Sequence, residues 1–121
     1  MLVVDDDPSI CRAPKFQLET LGFEVLVFNS AESLLASEVP PDRTCLLADV
    51  YLPGMNGAEL CSQLHAGGVE MPTILMSAHD DGRTRQFMSK AKPIASLFKP
   101  FDDTALLRAL TKAVRKLSQP H

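Results

Sequence analysis

The sequence contains no tryptophan, only one tyrosine, and too few basic residues to offset its acidic ones. Twelve lysines and arginines stand against fifteen aspartates and glutamates, which gives a formal charge of −3. A domain that binds nucleic acid or anionic membrane usually carries a surplus of positive charge. We therefore expect no direct nucleic-acid binding by this chain.

Cysteines are also scarce. Cys11, Cys45 and Cys61 are odd in number and form no C-x-x-C pair, which argues against a disulfide framework and against a zinc site. Buried thiols in a reducing compartment are the simpler interpretation.

Long apolar segments are absent as well. No run approaches the roughly 18 apolar residues that a membrane-spanning helix needs, and the first residues lack the zones of a signal peptide. These absences predict a cytoplasmic protein without membrane association.

What the sequence does contain is the composition of an ordinary globular domain. Of its 121 residues, 45% are hydrophobic and 22% are charged, which is close to average usage. This length suits one hydrophobic core and is short for two. We expect residues 1–121 to form a single domain.

Short apolar runs alternate with segments of helical periodicity, a pattern typical of strand–helix units that build a parallel sheet. Five units can be recognised. The predicted strands are Leu2–Val4, Glu24–Phe28, Cys45–Asp49, Thr73–Ser77 and Ile94–Phe98. The predicted helices run from Pro8 to near Gly22, from Ser30 to Glu38, onward from Asn56, from Arg83 to Ala91 and from Asp103 to Leu117.

Three helices carry further expectations. Pro14 should kink the first helix or give it a short irregular start, because proline removes a backbone hydrogen bond. Asn56 should cap the third helix, with Glu59 reaching back in a capping box. The last helix should bury one apolar face, formed by Leu106, Leu107, Leu110, Val114 and Leu117.

Residues that carry chemistry collect at the predicted strand ends. Asp5 and Asp6 follow the first strand, Asp49 ends the third, Ser77 ends the fourth and Lys99 follows the fifth. Ligands of open parallel sheets bind at the carboxyl ends of the strands. These five residues should therefore meet at one edge, although each alone would be a helix cap or a solvated side chain.

Clustered carboxylates repel one another unless a cation lies among them. Mg²⁺ prefers a few carboxylate oxygens together with water and phosphate oxygens, which suits this acidic set better than zinc does. Beside such an ion, an aspartate can attack a phosphoryl group and hold it as an acyl phosphate. Lys99 and Ser77 can then balance and bind the transferred charge.

Four motifs resemble those of the receiver domain of bacterial two-component response regulators, and the resemblance covers nearly the whole chain. They are V-V-D-D-D-P from Val3, L-L-A-D-V-Y-L-P-G-M-N-G from Leu46, I-L-M-S-A-H from Ile74 and F-K-P-F from Phe98. The resemblance implies a flavodoxin-like (βα)5 three-layer α/β sandwich with strand order 2-1-3-4-5. It also implies a signalling phosphoacceptor rather than a metabolic enzyme, with at most self-phosphorylation and self-dephosphorylation chemistry.

The resemblance further implies that Asp49 accepts the phosphoryl group from a histidine kinase or a histidine phosphotransfer protein. Asp6, Asp49 and the Tyr51 carbonyl would hold Mg²⁺, with Mn²⁺ as an alternative ion, and Asp5 would assist. The face of the fourth and fifth helices would contact an output domain or form a homodimer.

On the phosphate side, the resemblance implies that Ser77, the Ala78 amide and Lys99 contact the phosphoryl group. Ser77 would also be one of two switch positions. The Lys99–Pro100 bond would be cis, an isomer that is otherwise rare.

Two features depart from the family pattern. The second switch position, three residues before Lys99, usually holds Tyr or Phe, and here it is Ser96. The segment Lys90–Pro93 stands where the family usually has a glycine, and it is one residue longer. Both changes affect the region through which such domains transmit their signal.

Two other functions stay open at this point. The departures suggest a receiver-like interaction module that no longer switches. The pattern Asp5-x-Asp7 after an apolar strand is also similar to the start of a haloacid dehalogenase-type phosphatase, in which Asp5 rather than Asp49 would be the nucleophile.

Overall fold

A computed structural model describes residues 1–5, 18–20, 22–37, 44–52, 54–68 and 71–118. The predictions for Asp6, Asp7, Cys11 and Pro14 lie outside the described residues.

Five strands form one parallel sheet. They are β1 (Leu2–Val4), β2 (Leu26–Phe28), β3 (Leu46–Asp49), β4 (Thr73–Ser77) and β5 (Ala95–Phe98). Their order is β2-β1-β3-β4-β5, and every neighbouring pair is parallel. The register aligns Asp49 with Met76 and Ser77 with Phe98, so the strand ends that carry polar residues are level with one another. The predicted strand order is confirmed.

Helices cover both faces of this sheet. They are α1 (residues 18–20), α2 (Ala31–Ala36), α3 (Gly57–Ala66), α4 (Gly82–Ala91) and α5 (Asp103–Ser118). None of the helices in the described ranges has the length and apolar content that crossing a membrane requires.

Side-chain caps define where several helices begin. The Asn56 side chain accepts the Glu59 amide at 2.8 Å, as predicted, and the Asp81 side chain accepts the Thr84 amide at 2.8 Å. Such bonds satisfy amides that have no partner within the helix. At its other end α4 is closed by Lys92, whose φ of 50° is left-handed, a conformation that glycine adopts more readily.

The core consists of two apolar layers separated by the sheet. One lies under α2, α3 and α4 and includes Leu34, Leu60 and Met88, while the other lies under α1 and α5 and includes Leu18 and Leu110. Because both faces are covered, β1 and β3 are buried along their whole length. This arrangement is the predicted three-layer α/β sandwich.

The predicted apolar face of α5 was partly wrong. Leu106 and Leu110 are buried, but Leu107 is 51% exposed and Val114 is 42% exposed. Ala109 and Ala113 occupy the buried face instead. Small residues at helical spacing let the helix approach the sheet closely, and this rotates the larger Leu107 and Val114 to the margin of the face.

Several predicted bounds were also too wide. β2 begins at Leu26 rather than Glu24, and β5 begins at Ala95 rather than Ile94. Ser37 is extended and ends α2 after six residues. Of the two cysteines in the described ranges, Cys45 is buried and Cys61 is half-buried, and both are free thiols.

Gly57 fixes the distance between α3 and the end of β3. A Cβ atom at Gly57 would lie 2.5 Å from the backbone oxygen of Asp49 and 3.2 Å from the Val50 Cα. The Gly57 amide also donates to the Val50 carbonyl oxygen at 2.8 Å. Only glycine lets the start of α3 pack this closely against the polypeptide that carries Asp49.

We expect Gly57→Ala to lower the free energy of unfolding by about 1–3 kcal/mol, because the added methyl group meets backbone that cannot move aside. Gly82→Ala is the matched control, since Gly82 is also the first residue of a helix and has no atom within 4 Å of the added Cβ. The control should not lose stability. Urea denaturation measures both, and equal stabilities would contradict the proposed packing constraint.

Candidate functional site

The carboxyl ends of four strands bring together the residues predicted from strand-end positions. Asp5 directly follows β1, Asp49 ends β3, Ser77 ends β4 and Lys99 directly follows β5. Asp5 is 1% exposed, Asp49 is 7% exposed and Ser77 is fully buried. Asp6, the third predicted carboxylate, lies outside the described residues.

The Lys99 ammonium is the centre of the cluster. Its Nζ lies 2.8 Å from Asp5 Oδ2 and also donates a hydrogen bond to Asp49 Oδ2. The lysine side chain is only 12% exposed. One cation therefore contacts two buried carboxylates from different strands, so that neither carboxylate faces the other without a positive charge beside it.

The second oxygen of Asp49 is held by the backbone. The Tyr51 amide donates to Asp49 Oδ1 at 2.8 Å, two residues along the chain. Between them, the Val50 amide donates to the Met76 carbonyl oxygen of β4 at 2.9 Å. The carboxylate is thus oriented at both oxygens, one by an ammonium and one by an amide.

Burial sets the ionisation of this pair. Burial raises the pKa of Asp49 above its usual value, and the hydrogen bonds from Lys99 and from the Tyr51 amide reverse this only in part. Burial alone would lower the pKa of Lys99, but its hydrogen bonds to Asp49 and Asp5 outweigh burial and raise it. The lysine therefore stays charged, and Asp49 is the member of the pair whose charge is costly.

Ser77 is the last residue of β4 and lies fully buried at the same edge of the sheet. Its Oγ accepts the His79 amide at 3.0 Å, which fixes the side chain at the strand end. A hydroxyl that accepts one hydrogen bond can still donate its own proton to another oxygen. Ala78, the next predicted contact, is exposed at the start of the loop that follows β4.

The cis Lys99–Pro100 bond, predicted above, is present. The Lys99 amide also donates to the Ser77 carbonyl oxygen at 2.7 Å. The two chain segments that end β4 and β5 are therefore joined at the site itself.

The remaining switch residue lies elsewhere. Ser96 is exposed on β5, where it aligns with Leu75. It is two residues from Phe98 and therefore on the same face of the sheet, the face covered by α4. The structure places Ser96 on the α4 side, short of the edge where the other site residues meet.

Two contacts at this edge were not predicted from the sequence. The Tyr51 hydroxyl lies 2.6 Å from Thr84 Oγ1 in α4, and its ring meets the His79 ring edge-on with centroids 5.1 Å apart. The sequence identified Tyr51 only for its carbonyl, and no short motif marks Thr84. The one available signal was a polar residue at a buried position of the helix, and that position is known only after the helix is packed.

The residues present fit a divalent cation. Within the described ranges no group of three or more His, Cys, Asp or Glu side chains converges, but Asp5 and Asp49 each direct one oxygen at the same cationic nitrogen. Two carboxylates that already share one positive charge supply the hard oxygen donors that Mg²⁺ prefers. The Tyr51 carbonyl belongs to the loop that follows Asp49.

Comparison with known proteins places this geometry in context. The family model described as the response regulator receiver domain matches residues 1–111. Transcriptional regulatory protein FixJ of Azorhizobium caulinodans is 35% identical over 117 residues, which cover 97% of this chain and 56% of that protein. Nodulation protein W of Bradyrhizobium diazoefficiens is 33% identical, over 96% of this chain and 51% of its own length. The chain spans about half the length of these relatives.

Solved structures agree. The crystal structure titled FixJ-N superposes with a TM-score of 0.85 at 31% identity and covers 98% of this chain and 95% of that one. A CheY-like receiver domain protein from Methanospirillum hungatei gives a TM-score of 0.83 at 28% identity, over 96% of this chain and 93% of its own.

Removal of the shared cation gives a test of the site's electrostatics. We expect Lys99→Met to lower the free energy of unfolding by about 3 kcal/mol at neutral pH, because two buried carboxylates lose their counter-charge. An acid whose pKa is raised on folding stabilises the fold below its usual pKa and loses that contribution as the pH rises through the raised value. The deficit of the variant should therefore shrink as the pH falls, because Asp49, whose pKa is raised by burial, takes up a proton and no longer needs the counter-charge.

Urea denaturation at several pH values measures this deficit. Lys112→Met, at an exposed lysine of α5, is the control and should change stability by less than about 0.5 kcal/mol. A loss for Lys99→Met that does not vary with pH would show that the two carboxylates are not its cause.

Proposed function

Because the chain belongs to the response regulator receiver domain family of two-component signalling, we propose that Asp49 accepts a phosphoryl group and that the loaded domain changes its protein contacts. The observation that carries this proposal is the holding of the Asp49 carboxylate at both oxygens, by Lys99 and by the Tyr51 amide. A carboxylate fixed in this way at a sheet edge is oriented for attack.

The proposed reaction uses the residues in the following roles. A carboxylate oxygen of Asp49 attacks phosphorus, an O–P bond forms, and the P–N bond to a donor phosphohistidine breaks. The imidazole leaves with the electron pair of that bond and can take up a proton. Lys99 balances the charge of the transferred group, as it already balances Asp49 before the reaction.

Ser77 and Ala78 complete the phosphate side. The Ser77 hydroxyl can donate to one phosphoryl oxygen, since the His79 amide occupies only its acceptor side. The Ala78 amide is the next donor along the chain. Positioning and electrostatics therefore supply most of the catalysis, as in other phosphoryl transfers.

Mg²⁺, or Mn²⁺ in its place, completes the proposed site. Asp5, Asp49 and the Tyr51 carbonyl would hold it together with Asp6, which lies outside the described residues. Such an ion neutralises charge on the phosphoryl oxygens during transfer.

The proposed donor is a histidine kinase or a histidine phosphotransfer protein, and we propose that the domain meets it in the cytoplasm. Three of the relatives that match along about half of their length are named transcriptional regulatory protein FixJ. We propose that the loaded domain acts on an output domain or on a second copy through the surface of α4 and α5. Its own chemistry is limited to gaining and losing the phosphoryl group.

The phosphatase alternative is not favoured by the geometry. Asp5 is 1% exposed against 7% for Asp49, and its Oδ2 contacts Lys99, so Asp5 is the less accessible of the two carboxylates to a phosphodonor. The non-switching module has one observation in its favour, which is the exposed Ser96 at a position where the family usually has a ring.

We expect treatment with acetyl phosphate and Mg²⁺ to phosphorylate Asp49 alone. Borohydride reduction of the acyl phosphate followed by peptide mass spectrometry identifies the modified residue. Asp49→Asn should abolish the modification, while Asp80→Asn, at an exposed carboxylate paired with Arg85, should not. Modification of Asp5 would favour the phosphatase alternative and contradict the proposal.

Metal binding can be followed through the only tyrosine of a chain that has no tryptophan. Tyr51 lies at the site, so Mg²⁺ should change its fluorescence. Asp5→Asn and Asp49→Asn should each weaken the apparent affinity by about tenfold or more, because a hard cation loses a charged oxygen ligand. Asp80→Asn should leave the titration unchanged, and an unaltered affinity in Asp5→Asn would remove that residue from the metal site.

A further inference from the structure

Tyr51 connects the acceptor to α4 through two different parts of the residue. Its amide donates to Asp49 Oδ1 at 2.8 Å. Its hydroxyl lies 2.6 Å from Thr84 Oγ1, on an element 33 positions further along the chain. A single residue therefore contacts both the reactive carboxylate and the first turn of a helix.

Thr84 is a demanding partner because it is fully buried. When a buried hydroxyl loses its hydrogen-bond partner, the fold is destabilised by the full desolvation free energy of that hydroxyl. The bond to Tyr51 is therefore one that Thr84 can lose only at a cost in stability. Any displacement of Tyr51 must be followed by Thr84 or be opposed by the loss of this bond.

The contact continues to the cap of α4. The Thr84 amide donates to the Asp81 side chain at 2.8 Å. Whichever of the two hydroxyls donates to the other, a chain of contacts runs from Tyr51 through Thr84 to the residue that caps α4.

The Tyr51 ring is held on two sides. It meets the His79 ring edge-on at 5.1 Å and the Phe87 ring edge-on at 6.3 Å. His79 lies in the loop after β4 and Phe87 lies in α4. Through these edge contacts the Tyr51 ring packs against both the loop after β4 and helix α4.

Phosphorylation changes the bond at the other end of Tyr51. Whichever oxygen of Asp49 bonds to phosphorus, the remaining oxygen becomes a carbonyl oxygen without the full charge of a carboxylate. Hydrogen bonds to ionised acceptors are about twice as strong as those between neutral groups. The hydrogen bond from the Tyr51 amide to Asp49 therefore weakens or rearranges when Asp49 is phosphorylated.

We propose that Tyr51 is a positioning residue that transmits the state of Asp49 to α4 through its hydroxyl bond to Thr84. This inference rests on the proposed function, because it needs Asp49 to be loaded. It gives the domain a route to α4 that does not require a ring at Ser96.

Thr84→Val provides the main test. Thr84 is not one of the proposed phosphate-binding or metal-binding residues, and its hydroxyl reaches the site only through the Tyr51 side chain. Beryllium fluoride with Mg²⁺ serves as the phosphoryl mimic. Fluorine NMR reports loading of the site, and amide shifts of Arg85, Gln86 and Met88 report the response of α4. In the unaltered protein both should change, and in Asp49→Asn neither should.

We expect Thr84→Val to load as the unaltered protein does and to lose the α4 shift changes. Tyr51→Phe, compared at saturating mimic, should lose the same changes, and the double variant should lose no more than either single one. Thr84→Ser keeps the hydroxyl and should restore the response. Thr111→Val, which removes a hydroxyl bonded at 2.8 Å to the Leu107 carbonyl oxygen in α5, should leave the response unchanged.

The two levels of the proposal fail in different ways. If the unaltered protein shows no loading that depends on Asp49, the proposed function is wrong and this inference falls with it. If loading occurs and the α4 response persists in both Thr84→Val and Tyr51→Phe, only the Tyr51 route is wrong. If Thr84→Ser loses the response as fully as Thr84→Val, the effect belongs to packing and the route is again wrong.

Discussion

The structure depends on one ammonium group that lies between two buried carboxylates. Burying Asp5 or Asp49 alone would be costly, and placing both at one sheet edge would add repulsion. Lys99 makes the arrangement stable, because its Nζ contacts an oxygen of each. Because one ammonium serves two carboxylates, a further anion at this edge would need additional positive charge, which the proposed divalent cation would supply. Folding stability and the proposed chemistry therefore draw on the same contact.

Around this contact, the backbone of Asp49 is held in place, while the charge of its side chain can change. Gly57 packs against the Asp49 carbonyl oxygen, and the Val50 amide is bonded to Met76 of β4. The main chain at Asp49 consequently has little freedom. A change in the acceptor's charge must be expressed through side chains and through the Tyr51 amide, which together reach the β4–α4 loop and the first turn of α4.

Alternating apolar runs and helical segments predicted the sheet, and the strand ends then predicted Asp49, Ser77 and Lys99 at one edge. This succeeded because parallel strands of similar length place their last residues together. The Tyr51–Thr84 bond could not be predicted, because it depends on how α4 packs over the loop after β3. The exposed Leu107 and Val114 were mistaken for core, since helical spacing alone does not show that Ala109 and Ala113 lie closest to the sheet. Asp6, which was predicted to bind the metal ion, lies outside the described residues.

The distances along the chain within the site have a consequence for the protein during synthesis. Lys99 is separated by 94 positions from Asp5 and by 50 from Asp49. A nascent chain therefore carries both carboxylates well before it carries the cation that makes their burial favourable. The edge is complete only when the segment that follows β5 joins the sheet, so an incompletely folded chain has both aspartates without the cation that accompanies them in the finished sheet.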